Sequence, residues 1–145
     1  MLEGKYLLFG DCYDDVNKIR KQCTSTSIAD VMDNEALHVI VYEDKQPIAC
    51  GRMLISEDRY IFDHIYVINE KRNNKIDDFT VRLLIEKANL MCAKEIIVLC
   101  EDDNKMFFES LGFLESKEPS NDNQEGIKMC LDPVSYTHLT LPTIA

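Results

Sequence analysis

Hydrophobic and polar residues alternate with different periods along the chain, and each change of period predicts a new element. His38 to Tyr42 is a β-branched run, the polar turn EDKQP follows it, and Ile48 to Ile55 is the second arm of the hairpin that this pattern predicts. Tyr60 to Val67 follows the turn SEDR and predicts a third strand. Because both connections are short, we expect the three strands to pair antiparallel.

From Asp77 the apolar residues follow a helical period. One face of the predicted helix is formed by Val81, Leu84, Ile85, Ala88 and Cys92. The continuous apolar stretch Ile96 to Cys100 comes next and is typical of a strand buried on both faces. A helix between two strands predicts that the strands pair in parallel through a right-handed crossover.

Shorter elements are predicted towards both ends of the chain. Lys5 to Phe9 indicates a strand, and Asp14 to Gln22 a helix, because its acidic residues come first and its basic residues last. Asn104 to Leu111 predicts a short helix, and Phe113 to Ser116 and Gly126 to Leu131 predict a final pair of strands. The fold class is therefore an α/β domain with one mixed sheet of about seven strands flanked by helices.

Composition and charge argue against several classes of protein. The chain has 145 residues, 46% of them hydrophobic and 29% charged, which suits one globular domain. A net charge of −10 argues against nucleic acids and anionic membranes as partners. No secretory signal and no apolar stretch of roughly 20 residues is present, so we expect a cytoplasmic protein. The cysteines lack metal-site spacing, so no metal is expected.

Residues 134–143 differ from the rest of the chain. They read VSYTHLTLPT, which continues neither a helical nor a strand period. The segment also resembles, codon for codon, the translation of a transposase-type sequencing adapter. We therefore expect one domain over residues 1–133 and an artefactual, unstructured tail over residues 134–145.

A strand, a loop and a helix start follow one another in IYVINEKRNNKIDDF. Such an arrangement binds anions, because the N–H groups and the dipole at a helix N-terminus favour negative charge. Arg72 and Lys75 supply cationic side chains here, and Asn73 and Asn74 tolerate unusual backbone angles. An ordinary helix start, capped by one of the two aspartates that open the helix, explains the same segment equally well.

The order of elements from Lys5 to Asp132 resembles the GNAT family of N-acetyltransferases. The similarity is strongest in KYLLFGDCYDDVNKIRK, ALHVIVYEDKQPIACGRML, YVINEKRNNKIDDFTVRLLIEKA and FFESLGF. The resemblance implies that the fourth and fifth strands splay apart, that the pantetheine of acetyl-CoA lies between them, and that a Q/R-x-x-G-x-G/A loop wraps the pyrophosphate. It further implies direct transfer of the acetyl group to a primary amine of a small molecule or peptide. A homodimer is left open.

Two positions depart from the family pattern. Arg72 matches its leading position, but Lys75 and Asp77 stand where the family has small residues that let the backbone approach the phosphates. The Asp77 carboxylate should repel the pyrophosphate and weaken binding. In FFESLGF, Phe108 replaces a tyrosine whose hydroxyl can protonate the thiolate of coenzyme A.

The resemblance also assigns roles to residues of the predicted strand Tyr60 to Val67. Backbone groups of Ile65, Tyr66 and Val67 are expected to pair with pantetheine and to polarise the thioester carbonyl. Asp63 and His64 are the candidates for the base that deprotonates the amine, and strand alternation sends only one of them towards the cleft. Asp63 should share a strand face with Ile65 and Val67, whereas histidine is the side chain that titrates nearest to neutral pH.

Two functions therefore remain open. The chain is either an N-acyltransferase with weakened activity or a catalytically inactive GNAT-like binding or structural domain, and Asp77 and Phe108 favour the second. Two further polar residues on the predicted strands are interpreted as structural. Arg52 is expected to be a charge on the strand surface, and His38 is expected to pack beside the first hairpin.

Overall fold

A seven-stranded sheet with helices packed on it forms the part of the chain that the computed structural model describes, which is residues 1–8, 11–24, 31–71, 75–116 and 126–133. The strands are β1 (Leu2–Leu7), β2 (Ala36–Glu43), β3 (Gln46–Ser56), β4 (Arg59–Val67), β5 (Glu95–Cys100), β6 (Leu114–Glu115) and β7 (Ile127–Leu131). The helices are α1 (Asp14–Cys23), α2 (Ile76–Leu90) and α3 (Asp102–Ser110). Two short 3-10 segments lie at Val31–Glu35 and Asn69–Lys71.

The strands lie in the order β1-β2-β3-β4-β5-β7-β6. Neighbours from β1 to β4 are antiparallel, β4 and β5 are parallel, and β5, β7 and β6 are again antiparallel. The predicted antiparallel hairpin strands, the parallel pairing through a helix and the mixed sheet are thus confirmed. The turn between β2 and β3 places Asp44 and Lys45 at φ angles of 50° and 70°, the backbone that a tight two-residue hairpin loop requires.

The predicted apolar face of α2 packs against β2, β3 and β4. Its residues Val81, Leu84 and Ile85 are fully buried. Gly51 on β3 lets the helix approach, because a Cβ there would lie 2.9 Å from Leu84 Cδ1. Cys92 does not belong to this face, since the helix ends at Leu90 and Cys92 is exposed.

Some observed element boundaries differ from the predicted ones, and β1 is an example. β1 begins at Leu2 because it pairs with β2 along its whole length, from Leu2 opposite Glu43 to Leu7 opposite His38. Residues 25–30 lie outside the described residues, and the 3-10 segment Val31–Glu35 follows them. Gly112, with φ 101°, follows α3 in the left-handed conformation that commonly ends a helix.

Two sequence predictions concern chain ends and membranes. Residues 134–145 lie outside the described residues, so the domain boundary near residue 133 stays a prediction. Of the three helices described, none is both long and apolar enough to cross a bilayer.

Candidate active site

Strand β4 separates from its parallel neighbour halfway along its length. Pairing with β5 runs from Arg59 opposite Glu95 to Phe62 opposite Val98, whereas β4 continues to Val67. Because the ladder ends at Phe62, the two strands diverge beyond it. The predicted splay between the fourth and fifth strands is therefore present.

Two cavities adjoin at this opening. The large cavity, of about 720 Å³, lies between the end of β4 and the starts of α2 and α3, with Val67, Asp77 and Phe107 in its walls. The small cavity, of about 400 Å³, lies between β4 and β5 and includes Asp63 and His64. Five of the described residues line both cavities: Ile65, Tyr66, Glu101, Asn104 and Phe108.

A β-bulge interrupts β4 beside the small cavity. On β3, Cys50 pairs with Tyr66 and Arg52 pairs with Asp63, so the register has one β3 residue between these pairs but two residues of β4. The extra residue bends the strand and strengthens its twist. His64, at φ 47°, takes the left-handed backbone conformation that the bulge requires.

The bulge also changes which side chains share a face of the sheet. Asp63 lies opposite Arg52 and Tyr66 lies opposite Cys50, so Asp63 and Tyr66 share a face although they are three positions apart. Ile65 lies on the other face, where its Cγ1 would be 3.5 Å from a Cβ on Gly51. The prediction that Asp63 shares a face with Ile65 and Val67 is therefore wrong, because one inserted residue inverts the alternation.

His64 and Tyr66 contact each other across Ile65. The Nδ1 atom of His64 lies 3.3 Å from the hydroxyl of Tyr66, and both side chains are half-buried. Burial raises the pKa of Tyr66, with Arg20 acting in the opposite direction. An imidazole and a phenol therefore lie together at the opening of the sheet.

The opposite neighbour of β4 supplies a buried charged cluster. Arg52 is only 3% exposed, and its Nε and Nη2 donate to the two carboxylate oxygens of Asp63 at 2.7 and 2.6 Å. Its Nη1 also reaches Asp33 at 3.3 Å, and Arg20 of α1 donates to both oxygens of Asp33 at 2.7 and 3.1 Å. The prediction that Arg52 is a surface charge is wrong, because α1 and the 3-10 segment cover this face of β3.

His38 on β2 borders the same cluster. It is fully buried, its Nε2 lies 3.1 Å from the carbonyl oxygen of Asp33, and its ring contacts Tyr13 at 4.8 Å between centroids, with the planes tilted by 49°. Burial lowers the pKa of His38 and so favours the neutral ring. Arg20, Asp33, Arg52 and His38 together hold α1 and the 3-10 segment on the sheet.

Helix α2 starts without a side-chain cap. Its N-cap residue is Lys75, at φ 61°, in the left-handed region that favours glycine. Asp77 instead accepts a hydrogen bond at 2.8 Å from the backbone N–H of Asp78. The interpretation that one of the two aspartates caps the helix is therefore wrong, and the conformation of Lys75 is one for which the small residue of the family pattern would be suited.

The remaining loop residues are only partly described. Arg72, Asn73 and Asn74 lie outside the described residues, so their assignment to the pyrophosphate stays a prediction. Lys71 lines the large cavity and pairs with Glu43, with its Nζ 2.8 Å from the carboxylate oxygen. Lys71 and its partner Glu43 therefore bring one positive and one negative charge to this region.

Phe108 is both a core residue and a wall residue. It is 7% exposed and makes edge-to-face contacts with Phe107 at 5.0 Å and with Phe113 at 5.5 Å between ring centroids. It also lines both cavities. The aromatic packing explains how a phenylalanine is accommodated there.

Solved structures with the same arrangement of strands are N-acyltransferases. The ribosomal-protein-S18-alanine N-acetyltransferase of Escherichia coli is similar with 17% identity and a TM-score of 0.72, over 91% of this chain and 94% of that one. An acyl-CoA N-acyltransferase from Pseudomonas aeruginosa has 14% identity and a TM-score of 0.74, over 90% and 99% of the chains. PaiA N-acetyltransferase from Thermoplasma acidophilum, in complex with coenzyme A, has 12% identity and a TM-score of 0.69, over 91% and 99%.

The chain has the GNAT N-acyltransferase fold. The search against protein-family models and the search of curated protein sequences both find no match. At identities this low the structural similarity establishes the fold, and it agrees with a divergent GNAT sequence.

An acyl-CoA donor has an apolar pantetheine arm and negatively charged phosphates. The described walls of the opening suit the arm, and their charge suits the phosphates only in part. The opening offers apolar walls from Ile65 and Val67 for a pantetheine arm. Helix α2 has 15 residues, long enough for its dipole to favour an anion at the N-terminus. Asp77 places a carboxylate in the same cavity and opposes the phosphates. Within the described ranges, no group of three or more His, Cys, Asp or Glu side chains could hold a metal ion.

Proposed function

We propose that this protein is an N-acyltransferase that moves the acetyl group of acetyl-CoA to a primary amine of a small molecule or peptide. The observation that supports it best is the divergence of β4 from β5 beside the start of α2, which opens two adjoining cavities along one strand. A cytoplasmic location is part of this proposal.

Binding of the donor would use both ends of the opening. Lys75, with the predicted partners Arg72, Asn73 and Asn74, would hold the pyrophosphate at the N-terminus of α2. The pantetheine arm would then follow β4 past Val67 towards the bulge. The Asp77 carboxylate would lower the affinity without blocking the cavity.

The bulge would supply the groups that act on the thioester. The β3 register includes neither His64 nor Ile65, so a backbone N–H in this part of β4 can turn towards the opening. An N–H group aimed at the thioester oxygen would stabilise the negative charge that develops when the amine attacks.

His64 is the better of the two candidates for the base. Both carboxylate oxygens of Asp63 accept hydrogen bonds from Arg52, so protonating Asp63 would break a buried pair. His64 lines the small cavity, and a neutral imidazole has one ring nitrogen that can accept a proton. Asp63 would then hold β3 to β4 beside the bulge.

A GNAT-like domain that binds a ligand without catalysis is the alternative. Two observations favour it: Asp77 lines the large cavity with a negative charge, and Phe108 brings no hydroxyl to the opening. The alternative predicts a folded protein that releases no coenzyme A thiol from acetyl-CoA.

Calorimetric titration of the full chain with acetyl-CoA tests the proposal. We expect saturable binding with one site per chain, and a weaker response to acetyl-pantetheine, which lacks the pyrophosphate. Thiol release is then followed with polyamines, amino sugars and peptide amines as acceptors. A well-folded sample that does not bind acetyl-CoA would remove the transferase proposal.

A further inference from the structure

Acetyl transfer leaves coenzyme A as a thiolate, which needs a proton, and Phe108 cannot supply one. A general acid at this step typically contributes about 10² to 10⁴ in rate. If the proposed transferase is active, another group at the opening must take this role. The following inference rests on the proposed function.

The candidates for this general acid are the residues that line both cavities. Of the five shared residues, Ile65 and Phe108 carry no polar group, and the amide of Asn104 is not an acid. Glu101 is exposed, and a carboxylate is an acceptor of hydrogen bonds. Among the described residues that line both cavities, Tyr66 is the one with a proton to give.

We infer that Tyr66 is the general acid that protonates the departing thiolate, and that His64 returns the proton to it. The hydroxyl of Tyr66 lies 3.3 Å from Nδ1 of His64, and both residues face the opening. The contact spans Ile65, and His64 itself lies in the bulge.

The surroundings of Tyr66 are consistent with this role. Burial raises its pKa, so the phenol holds its proton at neutral pH. The charged and titratable groups around it are Arg20 and Cys23 from α1, Cys50 from β3 and Asp63 from β4, besides His64. Of these groups Arg20 favours the phenolate, which helps a proton to leave during the reaction.

His64 and Tyr66 together account for every proton that moves in the reaction. The amine nitrogen bonds to the thioester carbonyl carbon, and one amine proton passes to Nε2 of His64. The bond between carbon and sulfur breaks, and the sulfur takes the proton of Tyr66. The proton on Nδ1 of His64 moves to the Tyr66 oxygen, which leaves both side chains neutral, and exchange with solvent restores the starting ring tautomer.

The full chain with Tyr66→Phe tests this inference. We expect a fall in kcat of about 10² to 10⁴, with little change in KM or in the calorimetric Kd for acetyl-CoA. Tyr42→Phe is the matched control, because the Tyr42 hydroxyl bonds Asp15 outside both cavities and its loss should leave kcat unchanged. Phe108→Tyr should restore much of the rate to Tyr66→Phe, since it returns a hydroxyl to the shared wall.

A second variant covers a failure of Tyr66→Phe to fold. Fluorotyrosine at position 66 keeps the hydroxyl and lowers the phenol pKa, so the alkaline limb of the kcat profile should move to lower pH. If no amine in the panel is accepted, release of thiol to water serves as the readout. Equal rates for wild type and Tyr66→Phe would overturn the inference, whereas absence of acetyl-CoA binding by the wild type would overturn the proposed function itself.

Discussion

The two edges of β4 differ in how firmly they are held. Towards β3 the strand is paired from Arg59 to Val67, and Arg52 reinforces this edge through a bidentate pair with Asp63. Towards β5 the pairing stops at Phe62, and cavities replace the missing ladder. One edge is thus closed by burial and charge, and the other is left open for a ligand.

The difference shows how a small domain can keep a gap in its central sheet. The parallel pair would normally gain one ladder hydrogen bond after another, and β4 gives these up beyond Phe62. The closed edge holds the strand in place because the cluster around Arg52 and Asp33 fastens β3, β4 and α1 to one another. His64, within the bulge, and Tyr66 line the cavity at the open edge.

Breaking the closed edge should have the largest effect. Arg52→Met takes the guanidinium away from the partly buried Asp63 and leaves Asp33 with Arg20, and removing one partner of a buried pair costs at most about 3 to 5 kcal/mol. We therefore expect the free energy of unfolding, measured by urea denaturation followed by circular dichroism, to fall by up to that amount.

Arg59→Met on the same strand pair is the control for this experiment. The Arg59 side chain is 57% exposed and lies 3.3 Å from Glu95, so its loss should cost about 1 kcal/mol or less. Equal losses for the two variants would show that the cluster does not hold the closed edge.

Charge at the open edge should have an intermediate effect, seen in binding. Asp77→Asn removes a negative charge from the large cavity and keeps the size of the side chain. A like-charge repulsion of about 1 kcal/mol in water corresponds to roughly fivefold tighter binding of acetyl-CoA. The gain should shrink as salt is raised, because the Debye length falls.

Asp78→Asn is the matched control for the charge. Asp78 lies in the same helical turn but pairs with Arg82, 2.9 Å away, and does not line the cavity. We expect a smaller gain in affinity for this variant. Tighter binding by both variants to the same extent would mean that overall charge, and not the position of Asp77, controls the affinity.

The backbone at the start of α2 should have the smallest effect, seen in stability. Lys75 pays about 1 to 2 kcal/mol for its left-handed conformation, and glycine loses roughly 0.5 to 1 kcal/mol in chain entropy. Lys75→Gly should therefore raise the free energy of unfolding by up to about 1 kcal/mol. Lys75→Ala keeps the Cβ, so a similar gain for Ala would point to loss of charge and contradict the backbone explanation.

Much of the fold could be predicted from the sequence, because the residue pattern of each helix and strand is local. Val81, Leu84 and Ile85 repeat at helical spacing whatever packs against them, and the run HVIVY at His38 is rich in the β-branched residues that favour strands. Asp44 and Lys45 form the tight turn that the polar sequence between two such stretches indicates. Local sequence was sufficient for these features because their causes are local.

The buried cluster around Arg52 and Asp33 could not be predicted from the sequence in the same way. Arg52 looks like a surface charge in the strand pattern, and Asp33 lies in a polar stretch that reads as a loop. They meet because β3, the 3-10 segment and α1 pack together, which brings residues 19 positions apart within 3.3 Å. A charged residue on a strand shows its burial only through the elements that cover it.

The sequence by itself determined the periods, the turns, the excess of negative charge and the residues present at each family position, including Phe108 and Asp77, because these depend on neighbours along the chain. Tertiary structure alone decided where β4 leaves β5, where the bulge inverts the alternation, and that Tyr66 meets His64 at the opening. The physical reason is that strand register and divergence are set by packing between distant segments, and one extra residue in a strand changes the face of every side chain beyond it.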